Sequence, residues 1–180
     1  MSVTQPETKL DTNFSSPNAA AVPWSEGSAA LEQAEIYWVT TIRPEGRPHV
    51  TPLLGVFIDG AVYFTTGEGE RKAKNLANNA QCVISTGCNK FLEESLDVIV
   101  EGAAVSITDN ARLQRIADAI AAKYGEGWRF EVRDGSFVHS ADADRAKEGE
   151  TAKVLVFEVT PVTAFGYGRG AAFSQTRWRF

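Results

Sequence analysis

Arg71 and Lys72 are the residues best placed to do chemistry in this chain. They follow a strand-like run, Val62-Tyr63-Phe64-Thr65-Thr66, and a short loop carrying Gly67 and Gly69. From Glu70 onward the composition turns to helix formers, with Ala73, Leu76 and Ala77 spaced for one apolar face. Two cations in a first helical turn oppose the helix dipole, at a cost of about 0.3–1 kcal/mol each. A bound anion reverses that sign, because free helix amides, an arginine fork and a lysine together make a phosphate site. The hydroxyls of Thr65 and Thr66 add candidate donors. The competing reading is plain surface charge, with Glu68 and Glu70 neutralising a solvated turn.

No other constellation competes. With only two histidines, His49 and His139, a His-rich metal cluster cannot be built, and no metal site is expected. Nucleophile-elbow and Walker-type loops are missing. Glu93 and Glu94 read as loop acids, Cys82 as a core thiol on a hydrophobic strand, and His139 as a candidate for the substrate mouth. A phosphate cradle without an evident acid, base or nucleophile points to a cofactor that carries the reaction.

A length of 180 residues with 43% hydrophobic content supports one domain with a sizeable core. Net charge is −5, without a Lys/Arg block, which argues against nucleic acid. There is neither an apolar run of membrane-spanning length nor a secretion-type start, and two cysteines, Cys82 and Cys88, are too few for a disulfide scaffold. The expected setting is the cytoplasm, with no membrane partner. Residues 1–23 are polar and aperiodic and read as a flexible arm, leaving 24–180 as the folded domain.

Strands are expected over 36–42, 49–58, 61–66, 81–87, 96–107 and 153–160, with a hairpin at Asp59-Gly60. Ser25 or Ser28 is expected to cap a short helix ending at Ala34. Thr108 or Asp109 is expected to cap a second one, running to about Tyr124 with Leu113, Ile116, Ala117 and Ile120 on its core face. Trp128, Phe130 and Val132 suit a short extended piece, residues 134–151 a surface insertion, and 161–170 a glycine-rich turn. Consecutive strands with helices inserted late argue for a mainly β closed barrel over a doubly wound sheet.

The series Arg47-Pro48-His49-Val50-Thr51-Pro52, Asp59-Gly60, Tyr63-Phe64-Thr65-Thr66, Arg71-Lys72 and Asn75-Leu76 resembles the flavin-binding split-barrel superfamily. That group holds the pyridoxamine 5′-phosphate oxidases and the flavin and deazaflavin oxidoreductases. The resemblance continues through Val100-Glu101-Gly102 and Val156-Phe157-Glu158-Val159 and covers roughly Ala34 to Phe180. It implies a six-stranded antiparallel Greek-key barrel that forms a homodimer, with a cofactor in each of two interface grooves. It places Arg71 and Lys72 on the cofactor phosphate with Thr65, Thr66 and Gly67. The backbone around Val50, Thr51 and Pro52 would face the ring, His49 is a further cofactor-binding candidate, Asn75 would add a polar contact, and Arg177, Trp178 and Arg179 would reach the groove from the partner subunit. Trp178 packed inward on a last barrel strand is the alternative for that segment.

Two departures separate the chain from a true pyridoxamine phosphate oxidase. Asp97 and Ile99 stand where that enzyme carries Gln and Arg, and Leu53, Leu54 and Val56 stand where it carries basic residues. The resemblance is therefore closer to reductases that use the deazaflavin F420, with FMN as the alternative. The expected activity is hydride transfer to an activated double bond of a small molecule, against an apolar wall from Trp38, Phe57 and Trp178, with solvent as the proton source. A non-catalytic flavin, deazaflavin or haem carrier, and an empty structural dimer, are the rival readings.

Overall fold

The computed structural model describes residues 5–87, 94–138 and 153–180. Strand β1 is Glu7–Leu10, helix α1 Trp24–Gln33, β2 Tyr37–Ile42, β3 Pro48–Leu53, β4 Gly55–Ile58 and β5 Ala61–Gly67. Helix α2 is Arg71–Asn78, β6 Gln81–Ser85, β7 Ser95–Ile107 and α3 Asn110–Tyr124. A 3-10 turn at Glu126–Trp128 leads to β8 Glu131–Arg133, β9 Ser136–Val138, β10 Lys153–Val159, β11 Thr163–Arg169 and β12 Ser174–Arg179. The chain is mainly β and antiparallel throughout, as expected.

Two long passages tie the sheet into a split barrel. One half runs β1-β12-β11-β7-β6-β2-β3, and the other joins β7, β10, β5 and β4, with β9 and β8 beyond β10. Strand β7 serves both halves: Ser95–Glu101 pairs with β11 and Ala104–Ile107 with β10. Gly102 marks the crossing, where a Cβ would meet the Thr160 carbonyl oxygen at 2.6 Å. The β3–β4 segment makes the second passage, so the single strand expected over 49–58 is broken at Leu54.

Each half buries its own core. Trp24, Tyr37, Phe64, Val98, Phe157 and Trp178 fill the barrel interior. Leu113, Ile116, Ala117 and Ile120 of α3 cover the outer side of the β4–β5–β10 sheet, the face the helical spacing predicts. Asp109 caps α3 by accepting from the Arg112 amide at 2.8 Å. At the other end Tyr124 Oη donates to the carbonyl oxygen of Gly55 at 2.7 Å, and Lys123 Nζ to the same oxygen at 3.2 Å. Helix α1 begins at Trp24 without a side-chain cap, one residue before the expected serine.

Three expectations are corrected. Residues 5–23 are docked rather than free. β1 pairs with β12, the Asp11 amide donates to Gln175 O at 2.8 Å, and the Val22 amide to Thr176 Oγ1 at 3.0 Å. Residues 163–169 form a strand, because Gly166 leaves room for Trp178: a Cβ there would lie 2.3 Å from the indole. Asp134 and Gly135, both at positive φ, turn β8 into β9 and bury Phe137 against Phe130 with ring centroids 4.9 Å apart. Only 134–138 of the expected insertion is described. The remainder, with His139, lies outside the described residues, as do Cys88 and Glu93.

Candidate functional site

The end of β5 and the start of α2 form one wall of the site. Strand alternation turns Thr66 toward the barrel interior with Phe64 and Val62, and Thr65 toward the α3 side. The two hydroxyls therefore cannot serve one phosphate from the strand end, and only Thr66 faces α2. Between them a tight turn closes, with the Glu70 amide donating to Gly67 O at 3.0 Å. The Gly67 amide in turn donates to Glu70 Oε1 at 2.8 Å. Among the described residues, no side chain caps the first amides of α2.

Helix α2 sorts its polar residues between two sides. Lys72 and Asn75 are buried with Ala73 and Leu76, while Arg71 and Lys74 are exposed. The Lys72 ammonium pairs with Glu70 Oε2. Burial works to raise the Glu70 carboxyl's pKa, but Lys72, the Gly67 amide and the Thr66 hydroxyl outweigh it and hold it below its ordinary value. Arg71 has no ion-pair partner among the described residues.

The facing wall is the β2–β3 hairpin. Asn75 Nδ2 donates to Thr41 Oγ1 at 2.9 Å, and Thr41 lies across the ladder from His49. His49 Nδ1 and Thr51 Oγ1 are 3.4 Å apart. His49 and Thr51 share the inward face with Thr41, whereas Val50 and Pro52 point out. The side chains of the four β3 candidates are thus divided between two sides of the strand.

Arg43, at the mouth of this hairpin, is the residue that sequence reading missed. Its Nε is buried without a hydrogen-bond partner, and its Nη1 reaches Glu45 only at 4.0 Å. Asn75 Oδ1 is likewise buried and unpaired. Such orphaned atoms are rare and call for a partner, either an ordered water or a bound group. Burial first, then the positive fields of Arg43, Lys72 and Arg71, hold the His49 imidazole below its ordinary pKa. Three cations, one from the hairpin and two from α2, therefore act on one histidine. No local sequence signal pairs Arg43 with α2; the fold alone brings them together.

A titration checks this convergence. His49 has a depressed folded pKa, so it resists protonation, and its contribution to stability, present above the unfolded pKa, is lost as pH falls through the folded one. A phosphate among the three cations cancels their field and raises the imidazole pKa. NMR titration of the two histidines, without and with inorganic phosphate, should show an upward shift confined to His49. An unchanged value would place the anion elsewhere.

The outer face of the β2–β3 hairpin is apolar. Trp38, 43% exposed, lies across from Pro52, and Val50, 54% exposed, across from Thr40. In register, that face continues over β6, β7 and β11 with Val83, Ile99 and Phe165 interspersed with Ser85, Glu101 and Thr163. Pro52 suits its place, since among the described residues β3 pairs only with β2 and leaves one edge open.

The C-terminal strand divides its residues as alternation requires. Trp178 is fully buried, its Nε1 donating to Val22 O at 3.0 Å. It is a core wedge, so the expected cofactor contact is corrected, and Phe57, buried beside Trp24, is withdrawn from the apolar wall for the same reason. Arg177 and Arg179 point to the outer face. Between β3 and β12 lie five inter-strand steps, roughly 24 Å along the sheet. Arg177 instead lines a cleft of about 460 Å³ with Lys9, Phe14, Phe165, Tyr167 and Gln175. Cys82 sits in the barrel core, where burial pushes its thiol up to about 11, against a weaker opposing hydrogen bond from the Ala104 backbone.

Residues 25–165 match the family described as pyridoxamine 5′-phosphate oxidase. A conserved hypothetical protein from Mycobacterium tuberculosis superposes with a TM-score of 0.62 at 16% identity, over 95% of this chain and 89% of its own. A structure described as an F420 reductase gives 0.53 at 15% identity, over 76% of this chain and 94% of its own. The FAD binding protein from Mycobacterium smegmatis gives 0.51 at 20% identity, over 88% and 98% respectively. At these identities the likeness is one of fold. A search of curated proteins finds no match.

Proposed function

Because the chain belongs to the pyridoxamine 5′-phosphate oxidase family, we propose that it is an oxidoreductase that anchors a flavin-type cofactor by its phosphate. F420 is the first choice and FMN the second. The observation that carries this reading is a pair of buried, unpaired polar atoms, Arg43 Nε on the hairpin and Asn75 Oδ1 on the helix that carries Arg71 and Lys72. When bound, such a cofactor supplies hydride transfer to an activated double bond of a small organic substrate. Arg71, Lys72 and the uncapped amides of α2 hold the phosphate, and Arg43 and His49 close the cradle from the hairpin side. Lys74, exposed on the next turn, suits the acidic tail of F420.

The open edge of β3 offers backbone donors and acceptors to the polar rim of a planar ring. Trp38, Val50 and Pro52 exclude water from its face. Pyridoxamine phosphate is disfavoured as substrate, because its own phosphate would need a second set of cations. Asp97 is paired with Arg169, Ile99 is apolar and Val56 is core. A homodimer follows from the same reading. The apolar outer face needs cover, and only a second copy can bring Arg177 and Arg179 to the groove that Arg71 marks.

The outward residues of β2 and β3, from Trp38 and Thr40 to Val50 and Pro52, include no titratable group. That favours solvent as proton source in the enzyme, and it equally suits a carrier. Steady-state oxidation of reduced F420 with quinone and unsaturated-ketone acceptors separates the two. The enzyme turns over many equivalents per site, whereas a carrier stops at one.

A further inference from the structure

The Glu70 carboxylate occupies the turn between β5 and α2, beside the donors that the proposed function assigns to a phosphate. Its Oε1 accepts from the Gly67 amide at 2.8 Å, its Oε2 pairs with the Lys72 ammonium, and the Thr66 hydroxyl lies beside it. Although Glu70 precedes α2 in the capping position, it turns away from the helix and leaves the first amides uncapped. One carboxylate thus holds two donors of the cradle, while the helix terminus stays open.

The two partners differ in their freedom to move. The Lys72 side chain is 7% exposed, and that of Glu70 is 52% exposed. A buried ammonium without a counter-ion is costly, so the empty cradle needs an anion. Glu70, half in solvent, has somewhere to go when a better one arrives. The other charged groups facing the cradle, Arg43, His49 and Arg71, are cationic or neutral, and Glu68 is exposed in the loop.

We propose that Glu70 is an exchangeable internal anion, which neutralises Lys72 in the empty cradle and is displaced into solvent when a phosphate group binds. The proposal rests on the phosphate-site reading above and adds what sets its selectivity. A tethered carboxylate competes as if present at about millimolar concentration or more. An acetate offers Lys72 and Gly67 nothing that Glu70 does not already give. A phosphate monoester, with nearly two negative charges and three acceptor oxygens, does. Glu70 therefore makes the cradle prefer phosphate over carboxylate.

The test is the Glu70→Gln variant, titrated by calorimetry with inorganic phosphate, FMN and acetate. Phosphate and FMN should bind about tenfold tighter or more than to wild type, and acetate should begin to bind. The empty variant should melt lower and recover with phosphate. A merely structural Glu70 would lose stability and affinity together, so these opposite signs are diagnostic. Phosphate binding that is unchanged or weaker in the variant overturns the proposal. Should the wild type also fail to bind phosphate, the cradle itself is lost, and this inference with it. The wild type gives a second readout: the Glu70 carboxyl ¹³C resonance should titrate closer to its ordinary value when phosphate is bound, and no change overturns the proposal as well.

Discussion

Replacing Arg71 by alanine should weaken cofactor binding about 30- to 150-fold, the loss of about 2–3 kcal/mol expected for a hydrogen-bonded charge pair. Stability should change by less than about 0.5 kcal/mol, because the side chain is exposed and has no ion-pair partner among the described residues. The contrast with Lys72 is instructive. Lys72 is buried and paired, so its removal would strand Glu70 and confuse binding with folding. Titration of wild type and Arg71→Ala with the same cofactor, beside denaturant unfolding of each, gives both numbers. Equal losses of binding and stability would contradict the assignment.

Trp178→Ala should do the reverse. The indole is fully buried, packs edge-on against Trp24 at 5.2 Å, and donates to the Val22 carbonyl. Truncation leaves a large cavity and an orphaned carbonyl, for a loss of about 3–5 kcal/mol. It should also loosen the arm, since Val22 is held through both Trp178 Nε1 and Thr176 Oγ1. Denaturant unfolding should register the loss, and limited proteolysis should cut earlier before Trp24. Lost cofactor binding with full stability would restore Trp178 to the groove and contradict the core assignment.

The part of the fold that was legible in the sequence is the part governed by local periodicity. Helix α3 announces itself through Leu113, Ile116, Ala117 and Ile120, and the β4–β5 turn through Asp59-Gly60, with φ positive at both residues. The same dipeptide logic at Asp134-Gly135 would have found the β8–β9 hairpin, but the charged residues that follow masked it. What tertiary contact decides was not legible. The glycines of β11 look like a turn until Trp178 is seen to need their missing Cβ atoms. The arm looks free because its polar residues carry no period; it is ordered by a sheet edge at the far end of the chain.

The candidate site divides in the same way. The glycine loop followed by Arg71 and Lys72 is a local pattern, and it marks the cradle. Arg43 lies 28 positions before Arg71 in the sequence and joins it only through the β2–β3 hairpin. Strand alternation then sorts neighbours that sequence reading had grouped: Thr65 from Thr66, Val50 from His49, and Trp178 from Arg177.

The most direct test of the central claim is an equilibrium titration of the purified protein, side by side, with F420 and with FMN, following cofactor fluorescence. Phosphate anchoring through Arg71 and Lys72 predicts saturable binding that excess inorganic phosphate displaces, with F420 the tighter ligand. FMN binding alone would replace the cofactor and keep the cradle. Binding of neither would contradict the account at its root.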